Sequence, residues 1–235
     1  MTTPTGRKGQ SITAAYEAIR ALIVEGRLGP GSRLVERDLA EYLNMSRSPV
    51  RGALVRLQQE GYAVARLGER ARLIVAPLTR ADAQELYRLL GFLDGEAARR
   101  AATLAPPERR AELVEKLKQT GREMDQVARE VPFDARRFFD LDTTFHHHYV
   151  EIATMPRLLA IYRANRPQAD RYRLFYTSGD YVGSLLKVSE EHEAIVAAIE
   201  RGDPDGAERA ARLNWERAAE RVCAIMSIAG ERGSL

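Results

Sequence analysis

The run Ser46-Arg47-Ser48-Pro49-Val50-Arg51-Gly52-Ala53-Leu54-Val55-Arg56-Leu57 constrains this chain more than any other stretch. Val50, Ala53, Leu54 and Leu57 recur at i, i+3, i+4 and i+7, which is one face of an α-helix. Ser46 stands where an N-cap belongs, Pro49 is tolerated in a first helical turn, and Gly61 supplies a stop. The opposite face carries Arg47, Ser48 and Arg51 near the N-terminal end, where the helix dipole and free backbone N–H groups favour a phosphate. Arginines at that spacing can fork onto guanine edges or clamp phosphates. A shorter helical run over residues 36–44 precedes it across the tight Asn44-Met45-Ser46 connection. Two short helices, a turn and a basic second helix predict a helix-turn-helix.

The flanks extend that unit. Ile12, Ala15, Tyr16, Ile19, Leu22 and Ile23 share one face of a helix over about residues 11–25, stopped by Gly26, and Leu28-Gly29-Pro30-Gly31-Ser32 is a turn. Tyr62 to Val75 reads as two short strands around Leu67-Gly68-Glu69-Arg70. The expectation is a polar arm at residues 1–10, a winged helix-turn-helix over 11–76 and a linker at 77–79. From there the periodicity is helical, with helices near 80–103, 107–129, 134–152, 157–175, 183–201 and 204–228. Pro106-Pro107, Pro132, Pro156, Ser178-Gly179 and Gly202-Asp203-Pro204 separate them, so residues 80–230 form an antiparallel all-α bundle of about six helices. The fold class is mainly α with one small β-hairpin.

Charge is divided between these parts. Residues 1–76 hold 12 Lys and Arg against 7 Asp and Glu, and residues 77–235 hold 24 against 26. A basic head on a slightly acidic body suits a nucleic-acid-binding module joined to one with another task. The single cysteine, Cys223, excludes an internal disulfide and any paired-cysteine metal site. No apolar run approaches the roughly 18 residues of a membrane span, and the first ten residues lack an apolar signal core. A cytoplasmic protein without a membrane partner is expected.

Polar residues aimed into the bundle mark a second site. Asp142 and His146 lie four apart on the helix whose apolar side carries Phe138, Phe145 and Tyr149. His192 falls in the series Leu185, Val188, His192, Ile195, Ile199, and Asn214 in Ala207, Ala211, Asn214, Ala218, Val222. Inward polar groups need partners, and carboxylate with imidazole suits one divalent transition metal such as zinc, nickel or manganese. His147 and His148 point roughly 100° and 200° away from His146 and belong to the surface or rim.

Residues 16–75 resemble the GntR family of bacterial transcription regulators, in Pro30-Gly31-Ser32-Arg33-Leu34, Glu36-Arg37-Asp38-Leu39-Ala40, Ser46 to Arg51, and Ala53-Leu54-x-Arg56-Leu57-x-x-Glu60-Gly61. Gly52 stands where that family more often has Glu. The helical remainder is similar to the FCD ligand-binding domain of the FadR subfamily, in Asp142-x-x-Phe145-His146 and Glu191-His192-x-x-Ile195-x-x-Ala198-Ile199-x-x-Gly202-Asp203. The resemblance implies a homodimer on double-stranded operator DNA, most often a repressor, whose affinity responds to a small-molecule effector. It implies DNA contacts at Arg37, Arg47, Ser48, Pro49 and Arg51, with Gly68 at the wing tip; Arg47 and Arg51 would reach bases and Arg37 a phosphate. Metal-binding FCD domains supply one Asp and three His, matching Asp142, His146 and His192, with Asn214 at the third histidine's position. The arginine that often faces an organic-acid effector corresponds here to Leu90. Two other readings have less support. A metal-dependent enzyme lacks a nucleophile–base pair or an HExxH motif, and an effector-independent architectural DNA-binding protein leaves the inward polar residues unexplained.

Overall fold

A computed structural model describes residues 11–66, 72–104, 106–153, 155–176 and 182–233. In chain order the elements are α1 (Ile12–Val24), α2 (Glu36–Tyr42), α3 (Arg47–Gln59), β1 (Ala63–Arg66), β2 (Arg72–Val75), α4 (Arg80–Ala102), α5 (Pro107–Ala128), α6 (Ala135–Ile152), α7 (Pro156–Tyr176), α8 (Val182–Glu200) and α9 (Pro204–Ala229). They make two compact units, one of residues 11–79 with 231–233 and one of Arg80–Gly230. No helix among the described residues is long and apolar enough to cross a membrane.

In the first unit the Ser11 hydroxyl accepts from the Ala14 N–H and starts α1. Asn44, at φ 51°, and Gly61, at φ 79°, make the turns that end α2 and α3. Tyr16, Ile19 and Ile23 of α1 pack on Val50, Ala53, Leu54 and Leu57 of α3 and on Leu39 of α2, the apolar face read from the sequence. The strands pair antiparallel with Ala63 opposite Val75 and Arg66 opposite Arg72. The turn segment joins this hairpin, because Arg33 bridges Ile74, the Leu34 N–H donates to the Leu73 carbonyl, and Ser32 and Gly31 bond to Val75. The wing tip, including Gly68, lies outside the described residues. The tail belongs to this unit as well: Leu78 and Arg232 exchange backbone hydrogen bonds of 2.8 and 3.1 Å. Gly31, at φ 79°, lies so close to the tail that a Cβ there would sit 2.9 Å from the Cα of Gly233.

In the second unit α4 and α9 pack along each other, with α8 on α9 and α5 against α6 and α8. Gly91 and Gly95, one turn apart on α4, allow that approach: a Cβ on Gly91 would meet the Trp215 Cβ at 3.2 Å, and one on Gly95 the Arg212 Cγ at 3.0 Å. Trp215 is buried against α4 in consequence. Gly91→Val therefore overpacks a filled contact and is expected to destabilise the helical unit by about 1–3 kcal/mol, read as a lower denaturation midpoint at unchanged slope.

Candidate DNA-binding face and candidate metal centre

Ser46 has the extended backbone of an N-cap (φ −73°, ψ 161°), and Arg47, Ser48 and Arg51 are exposed on the first turns of α3. Arg37 is exposed on α2, beside Asp38 at 3.0 Å. Pro49 differs from its expected role as a contact. Its ring is buried with Val50 and Ala53 on the inner face, so it shapes the first turn instead of meeting a ligand. One partner was not anticipated. The Arg51 guanidinium forks onto Glu36 of α2, Nε donating to Oε2 at 2.8 Å and Nη2 to Oε1 at 3.0 Å, and these hydrogen bonds hold the Glu36 carboxyl below its usual range. An exposed pair of this kind is weak and salt-screened, so it pre-orients the fork without locking it.

The helical unit brings Asp142 and His146 of α6 to His192 of α8, all buried, with one ligand atom from each within 4.8 Å of the others. Asp142 Oδ1 lies 3.5 Å from His192 Nε2 and 3.8 Å from His146 Nε2, at or beyond the limit of hydrogen bonding. Neither Nε2 has a hydrogen-bond partner. Donor atoms held by one tetrahedral ion sit roughly 3.3 Å apart, close to the two Asp142–imidazole separations, and one carboxylate with two imidazoles suits a divalent transition ion. Burial opposes charge on Asp142, but the Arg173 guanidinium and the two imidazoles outweigh it and keep the carboxyl well below the usual range. Burial holds the His192 imidazole below its ordinary value, which favours the neutral ligand form. At His146 burial also disfavours charge, yet Asp94 and Asp142 win and raise it.

Asn214 of α9 is buried beside this group and lines, with Asp142 and Arg173, a cavity of about 10 Å³, room for about one water. Its amide nitrogen donates to Glu191 Oε2 at 2.9 Å, and Glu191 is also gripped by Arg221 at 2.7 and 3.0 Å. Leu90 is buried in α4 as a core residue. His147 and His148 are half-buried, and His148 Nε2 lies 3.2 Å from the Thr120 hydroxyl.

Sequence reasoning missed the residues that hold the group in place. Asp94 of α4 is fully buried, and its Oδ2 meets His146 Nδ1 at 2.6 Å and accepts from Trp215 Nε1 at 2.8 Å and from the Tyr149 hydroxyl. Asp142 Oδ2 accepts from Arg166 Nη2 at 3.0 Å and from Arg173 Nη1. The signals were present: Asp94 continues the apolar series Leu86, Leu90, and Arg166 and Arg173 are seven apart, on one face of α7.

A winged helix-turn-helix with an exposed basic helix, joined to a helical unit with a buried ligand cluster, defines a DNA-binding regulator with a small-ligand domain. Residues 12–73 match the bacterial regulatory proteins of the gntR family and residues 85–217 match the FCD domain. The chain belongs to the gntR family of transcriptional regulators, as an FCD-domain member. It is thus a DNA-binding regulator responsive to an effector and not an enzyme. It is 26% identical over 219 residues to the HTH-type transcriptional repressor RspR of Escherichia coli, covering 93% of this chain and 90% of that protein. A shorter match, 38% identical over 96 residues, covers 41% of this chain and 55% of an uncharacterized HTH-type transcriptional regulator of Agrobacterium vitis. Its fold is similar to that of E. coli McbR/YncC, with TM-score 0.70 and 19% identity over 95% of this chain and all of that one.

Because Asp94 faces His146 Nδ1, it fixes the tautomer that leaves Nε2 free. Asp94→Asn is expected to weaken zinc binding about 10- to 100-fold, measured against a competing chelator, while the protein remains folded.

Proposed function

We propose that the chain is a homodimeric repressor of the FadR subfamily that binds a pseudo-palindromic operator through its winged heads. Arg47 and Arg51 read base edges, Arg37 holds a phosphate, and Ser48 is a further DNA contact. The exposure of Arg37, Arg47 and Arg51 near the N-terminal end of α3 supports this assignment. Arg51→Ala is expected to weaken binding to an operator selected from random DNA by about 10- to 100-fold and to leave non-specific binding nearly unchanged. Equal losses on both DNAs would make Arg51 a phosphate contact.

In the helical domain Asp142, His146 and His192 hold one zinc, nickel or manganese ion, and Asn214, which lines the same small cavity as Asp142, is the candidate for a weak further ligand. The observation that carries this reading is the pair of buried imidazole nitrogens that face one carboxylate oxygen and have no hydrogen-bond partner. When bound, the ion supplies an electrophilic centre that an oxygen of an organic-acid effector can approach. Asp142 contributes the charge, with Arg166 and Arg173 fixing its second oxygen, and Asp94 sets the His146 ring. Elemental analysis of the purified full chain is expected to find near-stoichiometric metal, lost in His146→Ala and in His192→Ala. A proton competes with the metal for His146 Nε2, and its pKa is raised. Affinity should therefore fall as pH drops below that raised value, by about tenfold per unit. No metal in the wild type after supplementation would overturn the metal assignment.

A further inference from the structure

The connection between α1 and α2 is held from two sides. On the first, Pro30-Gly31 forms a tight turn in which the Ser32 N–H donates to the Gly29 carbonyl at 3.0 Å, with Gly31 at φ 79° in the position that favours glycine. The Gly31 N–H donates to the Val75 carbonyl at 3.0 Å and the Val75 N–H to the Ser32 carbonyl at 2.8 Å, so the turn is fastened to β2. The chain then enters α2, a seven-residue helix whose N-cap, Val35, makes no side-chain hydrogen bond. With no cap to set it, the start of α2 depends on the segment that leads into it.

The second side is the segment after α9, which returns to this unit from the helical one. The Leu78 N–H donates to the Arg232 carbonyl at 2.8 Å and the Arg232 N–H to the Leu78 carbonyl at 3.1 Å, a closed antiparallel pair just beyond β2. Gly233, at φ 75°, then lies against the turn. A Cβ on it would sit 2.6 Å from the Gly31 nitrogen and from the Pro30 carbonyl carbon, and 2.8 Å from the Pro30 oxygen. These are backbone atoms of a turn already tied to β2, and they cannot give way. Gly31 needs its conformation for its own turn, whereas Gly233 is the residue that permits this approach. The hold is light. Residues 227–233 are exposed, Ile228 to 91%, while Leu78 is fully buried. Two backbone hydrogen bonds and one glycine contact open at less cost than the unit unfolds.

We propose that residues 231–233 are a strap of the DNA-binding unit, and that high affinity for operator DNA requires the strap to be seated. Seated, it fixes the linker at Leu78 and the Pro30-Gly31 turn, and through that turn the entry to α2. Released, it takes one support from α2, whose first turn carries both Arg37 and the Glu36 carboxylate that Arg51 forks onto. Base contacts need α2 and α3 in a fixed relation, whereas general attraction to phosphates needs only the charge. The strap therefore acts on sequence-specific binding more than on non-specific binding. This expectation for operator DNA rests on the assignment of Arg37 and Arg51 to the DNA face.

The test uses the full-length protein with Gly233→Val and Arg232→Pro, which unseat the strap, and Arg232→Ala, which keeps its backbone bonds. Amide hydrogen exchange at Leu78 should be about tenfold faster or more in the first two variants and unchanged in the third. Their affinity for an operator selected by the wild type from random DNA should fall about tenfold, against about threefold or less on non-specific DNA. Full binding stoichiometry at saturating DNA shows that the variants are folded. If Gly233→Val does not fold, Arg232→Pro carries the test, since it removes the N–H donated to Leu78 and leaves the glycine in place. Unchanged exchange at Leu78, faster exchange with wild-type operator affinity, or equal losses on both DNAs overturns the proposal. The same operator loss in Arg232→Ala also overturns it, because the arginine side chain and not the strap would then be responsible. Arg51→Ala, measured beside them, separates the two readings. If it keeps operator affinity while the strap variants lose theirs, the assignment of the DNA face fails and the strap stands.

Discussion

Asp142 is the residue on which the interior of the helical unit depends. A buried carboxylate is costly unless it is paired and hydrogen-bonded on both oxygens. Here Oδ2 is held by two guanidiniums from α7, and Oδ1 is turned toward imidazoles from α6 and α8. One side chain thereby brings three helices together through polar contacts. The arginines are equally bound to it, since a guanidinium in an apolar interior needs its counter-charge as much as the carboxylate does. Arg166 divides itself between Asp142, Thr143 and Asp170, which places the outer end of the network near the surface.

Around this pair the cluster is asymmetric. His146 is fixed from behind by Asp94, itself held by Trp215 and Tyr149, so its free nitrogen has one direction to face. Trp215 reaches Asp94 because Gly91 lets α9 approach α4 closely, which makes a packing feature of α4 a condition for the orientation of a ring on α6. His192 has stacking on Phe145 in place of hydrogen bonds. A ring held by stacking keeps its plane without a polar partner to fix its tautomer.

Much of this was legible in the sequence, for reasons that differ by residue. Helix periodicity carried α1, α3 and the bundle helices, since each buries one stripe and local spacing suffices to find it. Asp142, His146 and His192 were legible because a polar residue within an apolar series is conspicuous. Asp94 stood in a series of the same kind, Leu86, Leu90, Asp94, and differs only in having no nearby imidazole in its own helix to mark it. The spacing of Arg166 and Arg173 puts them on one face of α7 but does not say that the face is buried, because arginine on a helix is ordinarily solvated and their burial follows from Asp142 on another helix. Pro49 was assigned to the DNA face from the motif, whereas its spacing from Val50 and Ala53 already put it with the core. The fork of Arg51 on Glu36 joins residues 15 apart in sequence across the turn, and no local pattern encodes it.

The chain passes between its two units twice, after Thr79 and after Gly230. The first passage leads directly into α4 and the second directly out of α9, the pair packed most intimately through Gly91 and Gly95. Beyond α9, Arg232 is bonded to Leu78, and Gly233 rests against Gly31 beside the hairpin of the DNA-binding unit. The helix that carries Asn214 and Trp215 is therefore continuous with a segment built into that unit. A ligand can alter DNA affinity only by binding two arrangements unequally. In this chain any arrangement that shifts α9 relative to α4 acts on both covalent links, because those two helices begin and end there.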